Sequence, residues 1–124
     1  MKKLAMVLLL ASTTVWAGWE PLAQDNGSTS YADPATLVSN GAIATMWSLL
    51  DYKEFQRMVE VGYFSQKAQA EFDCKEPRFR VLTLSLHAEH MGAGKVIYAD
   101  EMPHEWEAVQ AGTREETLWK RACK

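Results

Sequence analysis

YFSQKAQAEFDCKEPRFRVLTLSLHA, residues Tyr63 to Ala88, decides the fold. In its first half Phe64, Ala68, Ala70, Phe72 and Cys74 fall on one side of a two-residue repeat. Ser65, Lys67, Gln69, Glu71 and Asp73 fall on the other. A helix would space its apolar residues three and four apart, whereas alternation is the period of a half-buried strand. Glu76-Pro77 interrupts the run. Arg78 to Ala88 resumes it, with Leu82, Leu84 and Leu86 on one face and Phe79, Val81, Thr83 and Ser85 on the other. Two alternating runs around a short break predict an antiparallel hairpin with Cys74 on its apolar face.

Downstream, the glycines of MGAGK (Met91 to Lys95) predict a tight connection to a third strand over Lys95 to Asp100. Upstream, Ser39-Asn40-Gly41 is a turn signal. Ala42 to Tyr52 follows. Its Ala, Met and Leu suit a helix, but Ile43, Thr45, Trp47 and Leu49 alternate, which predicts a strand. Tyr31 to Pro34 predicts a short strand ending in a proline turn. Trp19 to Ala23 predicts an edge strand, the place a sheet tolerates Pro21. Asp25 to Ser30 reads as a polar loop, and Lys53 to Gly62, which lacks strong caps, as a loop with a turn of helix.

The chain ends in an amphipathic helix. Thr113 and Glu116 have the spacing of a capping box. Glu115 and Glu116 at the start, and Lys120, Arg121 and Lys124 at the end, complement the helix dipole. Leu118 and Ala122 form one i,i+4 pair and Trp119 and Cys123 the adjacent one, so the apolar stripe carries Cys123 toward the core. The fold class expected is α+β: a single antiparallel sheet of five or six strands with this helix packed on one face.

Lys2 and Lys3, the apolar run Leu4 to Ala11, and Val15-Trp16-Ala17 together read as a cleavable signal peptide, residues 1–17. The mature domain is then 18–124. The apolar run is shorter than the roughly 20 residues a spanning helix needs, and no second one follows. No cysteine follows it to carry a lipid. The expected location is periplasmic or extracellular, with no transmembrane segment after cleavage. Losing Lys2 and Lys3 takes the net charge from −3 to −5, which argues against nucleic acid as a partner. In an oxidising compartment Cys74 and Cys123 have one intramolecular pairing open to them; two free thiols or an intermolecular bridge are the alternatives.

These segments resemble a known family. YADPATL, the glycine at 41 with MWSLLDY after it, FSQKAQAEFDCK, HMGAGKVI, EW with Val109, and the closing ETLWKRACK look like the bacterial surface-adhesin protein E-like domain. EFDCK, LWKRAC and the MGxG turn between them are the most specific parts. The resemblance implies an antiparallel sheet with a C-terminal helix tethered by a disulfide between Cys74 and Cys123. It also implies a binding role: the family's name-giving member is an outer-membrane lipoprotein that dimerises and binds host matrix proteins such as vitronectin and laminin.

No arrangement of residues points to catalysis. GAGK lacks the four-residue spacing and the Ser or Thr of a phosphate loop, and no GxSxG elbow is present. His87, Glu89 and His90 miss the i,i+4 histidine spacing of a zinc helix, and on a strand the two histidines face opposite ways. His104 stands apart. No catalytic residues, metal or cofactor are therefore expected. Lys75, Arg78 and Arg80 form a candidate partner-binding basic patch, set against the plainer reading of solvated, paired charge. The function expected is an exported, non-catalytic binding module for a host matrix protein or another envelope protein. The alternative is a periplasmic structural or envelope-associated protein acting through oligomerisation. Both faces of Ala42 to Tyr52 are apolar and ask for two covers, the helix and a second subunit of a homodimer.

Overall fold

The hairpin read from Tyr63 to Ala88 is the middle of the sheet. In the computed structural model, which describes residues 18–124, β4 (Val61–Asp73) and β5 (Arg78–His87) pair antiparallel from Ser65↔His87 to Asp73↔Arg78. β3 (Ile43–Met58) flanks β4, β2 (Ser28–Asn40) flanks β3, and β1 (Glu20–Gln24) is the edge. Beyond β5, β6 (Val96–Asp100) and the two-residue β7 (Glu107–Ala108) share its outer side. Spatial order follows chain order from β1 to β6, an antiparallel meander to which β7 adds beside β5, making seven strands among the described residues. The predicted leader, residues 1–17, lies outside the described residues.

α1 (Arg114–Ala122) lies on one face. Ala32, Ala44, Met46, Ala70 and Phe72 meet Leu118 and Ala122 there in a buried core, with Leu22, Leu37, Phe79 and Trp119 around it. The three sheet alanines let the helix approach closely. A nine-residue helix is marginal alone in water, so its anchors decide whether it forms. The Glu116 amide donates to Thr113 Oγ1 (3.2 Å), and the Gly112 amide donates to Glu116 Oε1 (2.9 Å). The Glu116 carboxylate thus reaches one residue beyond the cap. That bond, and then the Lys120 charge, hold its pKa below the usual range. Trp119 Nε1 donates to the Asp73 carbonyl (2.8 Å), and Cys123 is bonded to Cys74 with their Cα atoms 5.4 Å apart. Arg121 pairs with Glu20 of β1 (3.1 Å).

Four expectations are corrected. Lys53 to Gly62 is not a loop: β3 runs to Met58, and a two-residue turn leads into β4 at Val61. A register irregularity lies between Asp51 and Gln56, and the Phe55 ring packs against Gly62, where a Cβ would meet Phe55 Cζ at 1.7 Å. Pro34 does not end β2. It sits in a bulge between Asp33 and Val38, where no ladder amide is required of it. Thr36 Oγ1 patches the gap, accepting from the Trp47 amide (3.0 Å) and donating to the Asp33 carbonyl (2.7 Å). Asp25 to Ser30 is a loop only as far as Gly27, for β2 begins at Ser28. Finally, β5 does not alternate throughout. Ala70 pairs with Val81 but Gln69 with Thr83, so a bulge at Leu82 moves Phe79 and Val81 onto the helix face with Leu84 and Leu86.

That bulge puts Arg78 and Arg80 on the face opposite the helix. The second cover expected for β3 comes, at Leu49, from the chain itself. The β5–β6 connection includes a turn of 3₁₀ helix at His90–Gly92, and a Cβ at Gly92 would lie 3.4 Å from Leu49 Cδ1. Leu49 is buried as a result.

Candidate functional site

The helix-free face is a ladder of cross-strand rungs. From β3 through β4 to β5 these are Asp51–Ser65–His87, Leu49–Lys67–Ser85, Trp47–Gln69–Thr83 and Thr45–Glu71–Arg80. The β5–β6 connection roofs the first two. Ser65 Oγ donates to the Glu89 carbonyl (2.6 Å) and accepts from the Gly92 amide (2.8 Å). The Asp51 carboxylate accepts from the Met91 amide (2.7 Å) and pairs with His90 Nδ1 (3.2 Å). The last two rungs lie outside that connection; their residues are half-buried, with the Trp106 indole against Arg80, and they form the more open part of the face.

The structure brings two of the three residues of the predicted basic patch together. Arg78 Nε donates to Asp73 Oδ2 (2.9 Å) and Arg80 Nε to Glu71 Oε1 (2.8 Å). Both guanidinium groups lie over the Trp106 indole, 4.6 and 5.0 Å from its centroid. Lys75 stands apart in the exposed β4–β5 turn. The pair is therefore charge-compensated by design of the strand register, and the indole adds cation–π attraction. Each arginine spends its Nε on the carboxylate and leaves its terminal Nη groups without a hydrogen-bond partner among the described residues. Asp73 is buried; amides of Lys75 and then the Arg78 side chain hold its carboxyl below the usual range. A recess of about 380 Å³ beside Trp106 is lined by Glu76, Pro77, Arg78 and Glu107. Trp106 entered the sequence reading only within the EW pair of the family resemblance and not as a site residue, since a lone tryptophan in an irregular segment carries no periodic signal.

A second recess, of about 340 Å³, opens between Trp19, Asp33, Thr36, Trp47, Lys67 and Met91. Trp19 and Trp47 supply apolar walls, and Lys67 and Asp33 one charge of each sign.

The histidines are dispersed. His87 is buried on β5 with Nε2 2.8 Å from Ser85 Oγ, and its Nδ1 has no hydrogen-bond partner among the described residues. Burial first, then the Lys67 charge, lowers its pKa. His90 pairs with Asp51 and packs on Phe64, and His104 pairs with Asp100 (3.1 Å). The Glu89 side chain lies beside Gly94. Among the described residues no three His, Cys, Asp or Glu side chains gather where they could hold a metal. No helix there is long and apolar enough to cross a membrane.

The family model for surface-adhesin protein E matches residues 19–124. The chain belongs to the surface-adhesin protein E family. The match takes in the whole described domain apart from Gly18, including both cysteines, the open face and the helix. Solved structures agree on the fold. One crystal form of Haemophilus influenzae protein E superposes with a TM-score of 0.70 at 14% identity, covering 95% of this chain and 96% of that one. A second structure of that protein gives 0.68 at 13% identity, with 93% and 90% covered. Protein E from non-typeable Haemophilus influenzae gives 0.65 at 14% identity, with 94% and 82% covered. No curated protein sequence matches the chain. At such low identity the shared property is the fold.

Proposed function

We propose that this chain is an exported, non-catalytic binding module of the bacterial envelope, released as residues 18–124 by removal of a signal peptide. The observation that carries the proposal is the match to a surface-adhesin family across the whole described domain. The partner class is a host matrix protein or another envelope protein. The docking surface is the open end of the helix-free face. Trp106 gives it a rigid aromatic anchor of the type enriched at binding hot spots. The free Nη groups of Arg78 and Arg80 give it donors for acidic side chains of the partner, and exposed Lys75 lies alongside.

Two assays test this. Protease access on intact cells places the chain on the surface or behind the outer membrane. Immobilised matrix glycoproteins, with vitronectin and laminin among them, then read saturable binding of residues 18–124. Surface exposure with saturable binding supports the adhesin reading; inaccessibility together with no binding across the panel defeats it. A second reading, an envelope-associated protein acting through oligomerisation, is favoured by the β3–β4 ribbon. Its tip exposes Phe55 and leaves Val59 87% exposed. A monomer at high concentration in light scattering counts against that alternative.

A further inference from the structure

Gly18 is the residue that the proposed cleavage makes the N-terminus, and it stands against an uncompensated carboxylate. Its φ is +81°, a conformation suited to glycine, and a Cβ there would lie 3.0 Å from Asp33 Oδ1 and 3.6 Å from Oδ2. Bond geometry then keeps the Gly18 nitrogen within about 5.5 Å of Oδ1. Asp33 sits at the β2 bulge. Its Oδ1 accepts a long bond from the Ala35 amide (3.3 Å), and no cation lies within ion-pair distance among the described residues. Glycine is thus favoured here, and its Cα stands close enough to Asp33 for a charge on the adjoining nitrogen to reach the carboxylate.

In the uncleaved chain that group is a neutral amide with one N–H. Hydrolysis of the Ala17–Gly18 bond adds water across it, leaving a carboxylate on Ala17 and an ammonium with three N–H donors on Gly18. We propose that Asp33 is the receptor for this new N-terminus: the Gly18 ammonium docks on its carboxylate and locks the edge strand β1 after processing. The site rests on the export reading above. It completes a clamp. On the helix face Glu20 of β1 is held by Arg121 of α1, and on the opposite face Gly18 is held by Asp33 of β2. β1 needs such ties, because it is five residues long, irregular between Pro21 and Ala23, and hydrogen-bonded on one side only. The same contact fixes Trp19, the next residue, as a wall of the recess shared with Trp47 and Lys67.

The charged groups around the ammonium are Asp33, which favours it, Lys67 of β4 across the recess, which opposes it, and Glu20, which Arg121 already engages. The test uses the oxidised chain beginning at Gly18, with ¹⁵N at that nitrogen, titrated by NMR beside Asp33→Asn and Glu20→Gln. The expected result is an α-amine that titrates above the ordinary range of about 7.7–8.0, by roughly half a unit, returning to that range in Asp33→Asn and not in Glu20→Gln. Acetylating Gly18 lowers Tm in the parent chain and leaves Tm unchanged in Asp33→Asn. An amine titrating in the ordinary range in all three chains, or an acetylation penalty equal in parent and Asp33→Asn, overturns the proposal. Failure of the export and processing reading is seen separately, as a chain that stays in the cytoplasm or whose mass does not begin at Gly18.

Discussion

Replacing both Cys74 and Cys123 by alanine removes a cross-link between residues 49 apart in sequence. The chain-entropy relation for a loop of this size gives about 4 kcal/mol of stability, acting through the unfolded chain, and treats any strain in the bond as subtracting from it. For a domain of about one hundred residues, each kcal/mol moves Tm by roughly 4–8 °C, so a fall of roughly 15 °C or more is expected. The helix keeps Leu118 and Ala122 in the core, the Trp119–Asp73 hydrogen bond and the Arg121–Glu20 pair. It should therefore stay docked and unfold with the sheet. Urea titrations followed by Trp fluorescence and by far-UV circular dichroism read this directly. The expectation is one coincident transition whose midpoint drops, with a slope no shallower than the parent's because the unfolded chain loses its cross-link and exposes more surface. A loss below about 1 kcal/mol would show that the bond constrains little in the unfolded chain. Separate transitions for the two probes would refute the claim that helix and sheet share one core.

Three further perturbations bear on the fold. Trp119→Phe keeps an aromatic side chain but deletes the N–H bond to the Asp73 carbonyl together with part of the packed indole, and should cost about 1 kcal/mol or more in chemical denaturation. Gly62→Ala should displace Phe55 and forfeit its edge contact with Phe64, a loss of about 1 kcal/mol; in a Phe55→Ala background the same change should cost markedly less, giving a non-additive double-mutant cycle. Burial lowers the pKa of His87, so the neutral imidazole is the form the fold accepts. Its contribution is then fully present above the unfolded pKa of about 6.5 and is lost as pH falls through the folded value. Melting temperatures between pH 7 and pH 5 should fall less steeply in His87→Gln than in the parent.

Strands with one face on the core were legible because burial imposes a period on the sequence: Ala68, Ala70, Phe72 and Cys74 alternate for that reason. The ribbon from Lys53 to Gly62 carries no such period. Its Phe55 and Val59 are exposed, and Phe55, which Gly62 accommodates on the neighbouring strand, answers to a partner rather than to a core face. Evenly spaced Leu82, Leu84 and Leu86 concealed the bulge that turns Phe79 and Val81 to the helix, since a bulge is fixed by the pairing of two strands and leaves the local sequence unmarked. Pro34 looked like a stop because the Thr36 side chain that repairs the ladder lies two residues beyond it. Of the candidate site, Arg78 and Arg80 were visible as charge. Their carboxylate partners Glu71 and Asp73 emerged from register, and Trp106 from an irregular segment that touches β5 at His104 and pairs with it again at Glu107 and Ala108.

The central claim is that the open, helix-free face engages a partner. Binding of residues 18–124 to immobilised vitronectin and laminin, compared with Trp106→Ala and Arg80→Gln chains of unchanged circular dichroism, tests it most directly. The account predicts saturable binding to at least one of them, weakened about tenfold or more, roughly 1.4 kcal/mol, by either substitution. Saturable binding that both variants retain in full would contradict it.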